Sequence, residues 1–549
     1  MTATAVREST RVRAGRSPGT VLTGTWTLVR LILRRDRVKL PAWLLGVTVL
    51  LFYFATVLQE LARSDQQLED MKRFMEGAVG GLFGPGYGRD AITPELYTVG
   101  VYGQWFFVLA ALMGLLLVSR HTRLDEQQGR AELIRANVVG RHAQLTAVLV
   151  VAVGANVLLA LLLGGAMAAQ GYDVGDGLLF GASVGAAGLV FSGITAVTVQ
   201  VTEYSRVATG MAGALLGAAW VVRAMGDMIG DYGSALSWCS PLAWSNQTRP
   251  YVDGRWWPLL LSVGLAAAAA ALGYALAAGR DVGAGLVAAR AGAPVAAAWL
   301  RSPFAVAFRL QRAGLLGWTV ALTTFGLIFG GLAAQIADPE GMSADRIEYF
   351  GGSVDRLVDG YLGIITLLAA SLAGIPTLLT VQAARWEETR GRAEPVLVTA
   401  ISRREWLGSY LAVASIGLVG MLLVVGSATG LGAAVSVGDA SYIGDVALAH
   451  LAHAPGVLVL LGVATLLFGV LPRAIGVTWG LAGYGLFVAL FGPILDLPQW
   501  ARNLLPLQHT GQPPLDDIAW SAAIVLLVVA AGLAAVGLAG FGRRDLEGR

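Results

Sequence analysis

The sequence predicts an all-α integral membrane protein of about 12 transmembrane helices, arranged as two parallel six-helix repeats. Three observations carry this. Of the 549 residues, 56% are hydrophobic and only 14% charged, outside the soluble range. The apolar residues fall into runs of spanning length separated by charged passages. A charged passage of the first half, RLDEQQGRAELIRA (123–136), returns in the second as RWEETRGRAEPVLV (385–398). The 72 glycines suit membrane helices that pack closely through small residues. A formal charge of +3 gives no footing for nucleic acid, and the lone Cys239 excludes an internal disulfide.

Along the chain, residues 1–20 lack an apolar segment and read as a cytosolic tail rather than a cleaved signal peptide. GTWTLVRLILRRDRVKL (24–40) follows as an amphipathic interfacial helix. It puts Trp26, Leu28, Leu31 and Ile32 near one side and offers Arg30, Arg34, Arg35 and Arg37 to headgroups. Tail and interfacial helix occupy 1–39. A first transmembrane domain, 40–280, holds spans near 40–59, 100–119, 144–165, 178–201, 207–228 and 257–278. A cytoplasmic linker, 281–313, carries a second interfacial run, WLRSPFAVAFRLQRAG (299–314). The second domain, 314–549, holds spans near 314–335, 360–384, 407–428, 446–471, 474–495 and 517–541, then a short cytosolic C-terminus.

With the N-terminus inside, most of the 39 Lys and Arg fall on the cytoplasmic side, and the acidic loops 60–99 and 336–359 fall outside. Both termini are then cytoplasmic, and the protein is multi-pass in a bacterial inner (plasma) membrane. Within those loops, DQQLEDMKRFMEG (65–77) and SADRIEYFGGSVDRLVDG (343–360) either cap the span ends or gate an exit.

The repeat extends beyond one motif. Aligning Gly129 with Gly391 matches Arg123 with Arg385, Glu126 with Glu388, Arg130 with Arg392, Ala131 with Ala393, Glu132 with Glu394 and Arg141 with Arg403, without a gap. Later landmarks follow in order: Arg206 with Arg473, SPLAW (240–244) with LPLQH (505–509), and GRD (279–281) with RRD (543–545). Six spans per half give both halves the same direction of entry, hence a pseudo-twofold axis along the membrane normal.

In each half the motif lies between the second and third spans. Gly129 and Gly391 can take φ > 0 and end a helix sharply. A short helix then starts with Glu132 or Glu394 in its first turn, where negative charge suits the helix dipole. Pro395 sits where a first-turn proline is tolerated, and SRRE (402–405) reads as a capping box with Ser402 as N-cap. The element is either a solvated connector or a lever that transmits a push from a cytosolic partner.

Together the interfacial helix, the six spans per half and the E-x-x-G-R-A-E passage resemble the type-2 ABC exporter permeases. The similarity is closest to the fused, two-repeat membrane subunits of actinobacterial antibiotic exporters of the tetronasin type. In that family the passage is the coupling helix that docks on the ATPase. The resemblance therefore implies this role for Asp125, Glu126, Gly129, Arg130 and Glu132, and for Glu387, Glu388, Gly391, Arg392 and Glu394. It also implies a separate ABC ATPase subunit, as a homodimer, that binds the ATP and Mg. The chain has no P-loop of its own, because its only lysines, Lys39 in RVKL and Lys72 in DMKRF, cannot complete one. No cofactor is expected on this chain, and no catalytic residue.

For cargo, Trp105, Phe106, Phe107, Trp220, Phe487 and Phe491 either pack against lipid and neighbouring helices or line an apolar cavity between the halves. The resemblance favours the cavity, since the second and fifth spans face the centre in the family. Arg223 and Asp227, four apart on one face of span five, either snorkel to the outer surface or meet a polar group of the substrate. Their repeat counterparts, near Ala489 and Pro493, are apolar or Pro, so such a contact would be one-sided. His450 and His453 are interfacial packing or a metal or proton site. The expected activity is ATP-driven export of drugs, antibiotics or other hydrophobic small molecules. The alternative is a proton-driven secondary multidrug transporter, for which no acid or His stands at mid-span.

Overall fold

A computed structural model describes residues 21–62, 92–136, 139–230, 232–281, 283–287, 292–336, 356–491 and 499–546, with a few isolated positions between 68 and 88 and at 353. Among them every regular element is a helix, and eleven helices are long and apolar enough to cross a bilayer. The chain divides into two compact units, Met1–Ala291 and Gly292–Arg549.

In unit 1, α1 (Thr25–Arg35) precedes α2 (Lys39–Leu61), α3 (Pro94–Val101) and α4 (Gly103–Ser119). α4 runs on through a π-helical turn, Arg120–Leu124, to Asp125–Gln127; α5 (Arg130–Arg135) follows. Then come α6 (Ala143–Ala169), α7 (Val174–Val201), α8 (Ser205–Ile229), α9 (Pro241–Asn246) and α10 (Pro258–Ala278). α7 is the core of the unit, packed by α4, α6 and α10 and largely buried, with apolar residues on every side. Its glycines permit this: a Cβ on Gly181 would sit 2.1 Å from the Ala160 carbonyl oxygen, and one on Gly193 2.7 Å from that of Ala266.

Unit 2 contains α11 (Pro303–Gly331), α12 (Leu357–Thr389), α13 (Glu394–Leu397), α14 (Arg403–Val437), α15 (Tyr442–Ala452), α16 (Ala454–Val470), α17 (Val477–Phe491) and α18 (Trp520–Arg543). α15 and α16 together make one span, Tyr442–Val470. α11 packs on α14, and α16 on α18. The second contact is glycine-mediated: a Cβ on Gly469 would lie 1.9 Å from the Gly537 carbonyl oxygen, and one on Gly537 2.4 Å from that of Thr465.

The structure alters three expectations. α1 buries Leu28, Val29 and Ile32 against α6, whereas Trp26 is 61% and Leu31 40% exposed. At 100° per residue Val29 belongs to the Leu28–Ile32 stripe, and Trp26 and Leu31 flank it about 100° away. Second, 299–314 is no separate interfacial helix. Ser302 caps α11, its hydroxyl accepting from Ala305 N at 3.2 Å, and the helix continues unbroken to Gly331. Third, the eleventh expected span, 474–495, appears as the 15-residue α17, with 492–498 outside the described residues. Most of 65–77 and 343–360 also lies outside them.

Replacing Gly469 with Leu should force α16 from α18 and lower the apparent Tm of the purified chain in detergent, at a cost of about 1–3 kcal/mol or more. Gly480→Leu, where a Cβ meets nothing within 4 Å, should leave it nearly unchanged.

Candidate functional site

The repeated charged passage folds as helix, left-handed glycine and short helix in both units. Gly129 has φ 72° and Gly391 φ 69°. A Cβ would meet nothing within 4 Å at either position, so backbone conformation rather than space calls for glycine. The next alanine, Ala131 or Ala393, anchors the short helix in the unit, at 0% and 1% exposure.

Behind the turn stands a buried ion pair. In unit 1 both oxygens of Glu126 accept from Arg280, just beyond α10, at 2.9 and 2.8 Å. Arg123 donates to the same carboxylate at 2.7 Å. Arg123 is itself buried and donates to the carbonyls of Val199 (3.0 Å) and Ala284 (2.9 Å), and Arg280 reaches Gln200 Oε1 at 2.6 Å. In unit 2 both oxygens of Glu388 accept from Arg544, just beyond α18, at 2.7 Å each. The Arg544 guanidinium lies 5.3 and 5.0 Å from the ring centroids of Phe468 and Phe541, which desolvate it. Arg141 donates to Ala278 O, and its counterpart Arg403 to Arg544 O. These bonds fasten the start of the third span to the end of the sixth.

A second pair recurs less tightly: Arg130 with Asp125 at 3.4 Å and Arg392 with Glu387 at 3.3 Å. In unit 1 Arg35 of α1 also grips Asp125 through two bonds, 2.6 and 3.0 Å; this hydrogen bond and charge push the Arg35 guanidinium further up. Asp36 accepts from Arg120 at 3.0 Å and meets His121 Nε2 at 2.7 Å. Burial would raise its carboxyl, but His121 and Arg120 outweigh burial and hold it below the usual range.

Of the ten positions singled out around the motif, the side chains of Asp125, Glu126 and Glu388 therefore point into their units. Arg130, Glu132, Arg392 and Glu394 stand at the surface, beside Leu133 and Val398, which are 73% and 87% exposed. Sequence reasoning missed the roles of Arg280, Arg544 and Arg35. The alignment of GRD with RRD was the available signal for the first two.

At the other end of α8, Arg223 is fully buried and bonded to Asp227 at 3.1 Å. Asp227 accepts from Ser237 at 2.7 Å, and the Arg223 guanidinium lies 5.5 Å from the Trp220 ring. This corrects the snorkelling expectation: the pair turns inward. Phe106 and Phe107 are buried in the unit 1 core, Trp105 is 52% exposed and Phe487 44%; the side chain of Phe491 lies outside the described residues. His450 and His453 are both buried, with Nδ1 at the Val446 carbonyl and the Thr510 hydroxyl respectively. No group of three or more possible metal ligands occurs among the described residues.

The protein-family model described as "Multidrug efflux system permease Rv1217c, C-terminal domain" matches residues 27–276 and 300–542. The chain is 38% identical over 544 residues, 96% of both sequences, to the multidrug efflux system permease protein Rv1217c of Mycobacterium tuberculosis (strain ATCC 25618 / H37Rv). Helices of spanning length, two glycine-turned surface elements and a likeness that runs the whole chain agree: the protein belongs to the Rv1217c family of multidrug efflux system permeases.

Proposed function

We propose that the chain is the membrane-spanning subunit of an ATP-driven exporter of hydrophobic small molecules, worked by a separate ATPase that docks on the two glycine-turned elements from the cytoplasm. The observation that carries this reading is their division of labour. Each element shows charge and an exposed aliphatic side chain on its surface, Glu132 with Leu133 and Glu394 with Val398. Its root is locked into the spans by a bidentate pair, Glu126–Arg280 or Glu388–Arg544. A surface built to be pushed and a root built not to yield together make a lever, and exposed aliphatic groups rimmed by charge suit a protein partner. The missing P-loop supports a nucleotide site on that partner. The relative's printed name supports multidrug cargo.

Two outcomes follow. Glu132→Arg combined with Glu394→Arg should lower co-purification with the ATPase and transport about tenfold or more, while the Tm of the isolated chain stays put. Export driven by a pH gradient in proteoliposomes lacking any ATPase would instead favour a proton-coupled transporter. By contrast, Glu388→Met should lower the Tm, at about 3–5 kcal/mol, because it leaves Arg544 without its buried counter-charge. Adding Arg544→Met should recover part of that loss, which a double-mutant cycle of thermal unfolding would read directly.

A further inference from the structure

α1 is held at both ends. Gly140 N and His142 N, on the approach to α6, donate to the carbonyls of Thr23 and Val21 at 2.9 and 3.2 Å. At the other end Arg35 binds Asp125, and Asp36 meets Arg120 and His121. The roll of the helix about its axis is therefore fixed, and with it what its outer face presents. Turning about 100° per residue from Leu28, the buried Ile32 and Val29 stand at about 40° and 100°, Leu33 and Trp26 at about 140° and 160°, and Arg30 and Arg34 at about 200° and 240°. Trp26 is 61% and Leu33 46% exposed, and both arginines are exposed. The Arg30 guanidinium lies 5.9 Å from the Trp26 ring centroid. In cross-section the helix thus passes from an edge buried in protein, through an apolar edge, to a basic one.

The basic edge carries a true excess of charge. Residues 25–39 contain five cations, Arg30, Arg34, Arg35, Arg37 and Lys39, and one carboxylate, Asp36. Asp36 is buried and taken by Arg120 and His121. Asp125, which faces α1 from the end of α4, is taken by Arg35 and Arg130, and Glu126 by Arg123 and Arg280. The exposed Glu132 of α5 is flanked in sequence by Arg130 and Arg135. Among the described residues no carboxylate pairs with Arg30, Arg34, Arg37 or Lys39, all four exposed. Position agrees with charge. Only residues 36–38, at most about 10 Å of chain, separate α1 from the first span, Lys39–Glu60, so the helix lies at the level where that span meets the bilayer surface. Trp is enriched at that level, and arginines there reach for headgroups while their stems stay on apolar surface.

We propose that the outer face of α1 is a binding surface for anionic phospholipids of the adjoining leaflet, with Arg30, Arg34, Arg37 and Lys39 against the phosphates and Trp26 and Leu33 at the acyl boundary. Lipid charge then holds α1 on its seat, and through Arg35 it steadies Asp125 at the root of the unit 1 element. This goes beyond the exporter reading and needs neither ATP nor cargo.

The test compares the full chain in nanodiscs of phosphatidylglycerol and of phosphatidylcholine with the same acyl chains, and reads hydrogen exchange of the backbone amides of residues 28–35 by mass spectrometry. A basic side chain close to an anionic surface is worth about a fivefold change in binding, so exchange in α1 should be about tenfold or more slower in phosphatidylglycerol, while exchange in α7 is the same in both lipids. Arg30→Gln, Arg34→Gln and Arg37→Gln combined should abolish the difference, and so should about 0.5 M NaCl, which shortens the screening length to about 4 Å. The matching triple Lys variant, which keeps the charge, should retain it. Equal exchange of α1 in the two lipids would leave the basic edge to some other partner and overturn the proposal. So would slowing shared equally by α1 and α7, or a phosphatidylglycerol effect that survives the triple Gln substitution in a chain whose α7 protection is intact.

Discussion

One interaction fixes the end of each unit where the repeated passage turns: a carboxylate at the end of the second span, gripped through both oxygens by an arginine just past the last helix of that unit. Glu126 and Arg280 have side-chain exposures of 5% and 9%, Glu388 and Arg544 of 1% and 16%. In so dry a setting neither partner can be lost cheaply, and the geometry is bidentate, which fixes orientation as well as distance. In unit 1 the pair also commits Arg123 and Gln200, so it ties together α4, α7 and the segment beyond α10. The left-handed glycine comes only three residues after the carboxylate. A force applied to α5 or α13 therefore meets a fixed root and is passed to the spans, rather than being absorbed by a loose loop.

The two roots differ in how they are braced. In unit 1 α1 ends at Arg35, with Asp36 as its C-cap, and Arg35 grips Asp125. Where the aligned run of unit 2 continues straight into α11, Glu387 is 23% exposed and pairs with Arg392, itself 60% exposed, and pairs that exposed contribute little. The π-helical turn at Arg120–Leu124, a feature often found at functional positions, delivers Arg120 and His121 to Asp36; α12 runs through the matching stretch as regular α-helix. On the lever reading, the element of unit 1 is the stiffer of the two. Sequence divergence at Arg135 against Leu397 and Leu133 against Pro395 hints at inequality, but the bracing comes from α1, outside the motif.

Legibility follows the range of the interaction. Local chemistry was readable: φ > 0 at Gly129 and Gly391, and Ser402 as the cap of α14, with its hydroxyl 3.1 Å from Glu405 N. The spans were readable from runs of apolar residues, except where α17 is short. What failed was azimuth and long-range pairing. Glu126 and Glu388 read as surface charges because their partners lie 154 and 156 residues away. Counting along α8 gave the depth of Arg223 but not the direction of its side chain, and so suggested snorkelling for a residue that faces Asp227.

The buried Arg223–Asp227 pair of unit 1 has no charged counterpart at the matching sequence positions of unit 2. The positions that match Arg223 and Asp227 fall near Ala489, which is buried, and near Pro493. Both units nevertheless carry the glycine turn and the bidentate root. The two units thus share the glycine-turned element and its root while differing at these remote positions. On the exporter reading, that is the pattern expected if both elements are worked alike while the remote ends are free to differ in what they contact. A second buried Arg–Asp pair would carry its own desolvation cost, so an apolar counterpart is the physically economical arrangement.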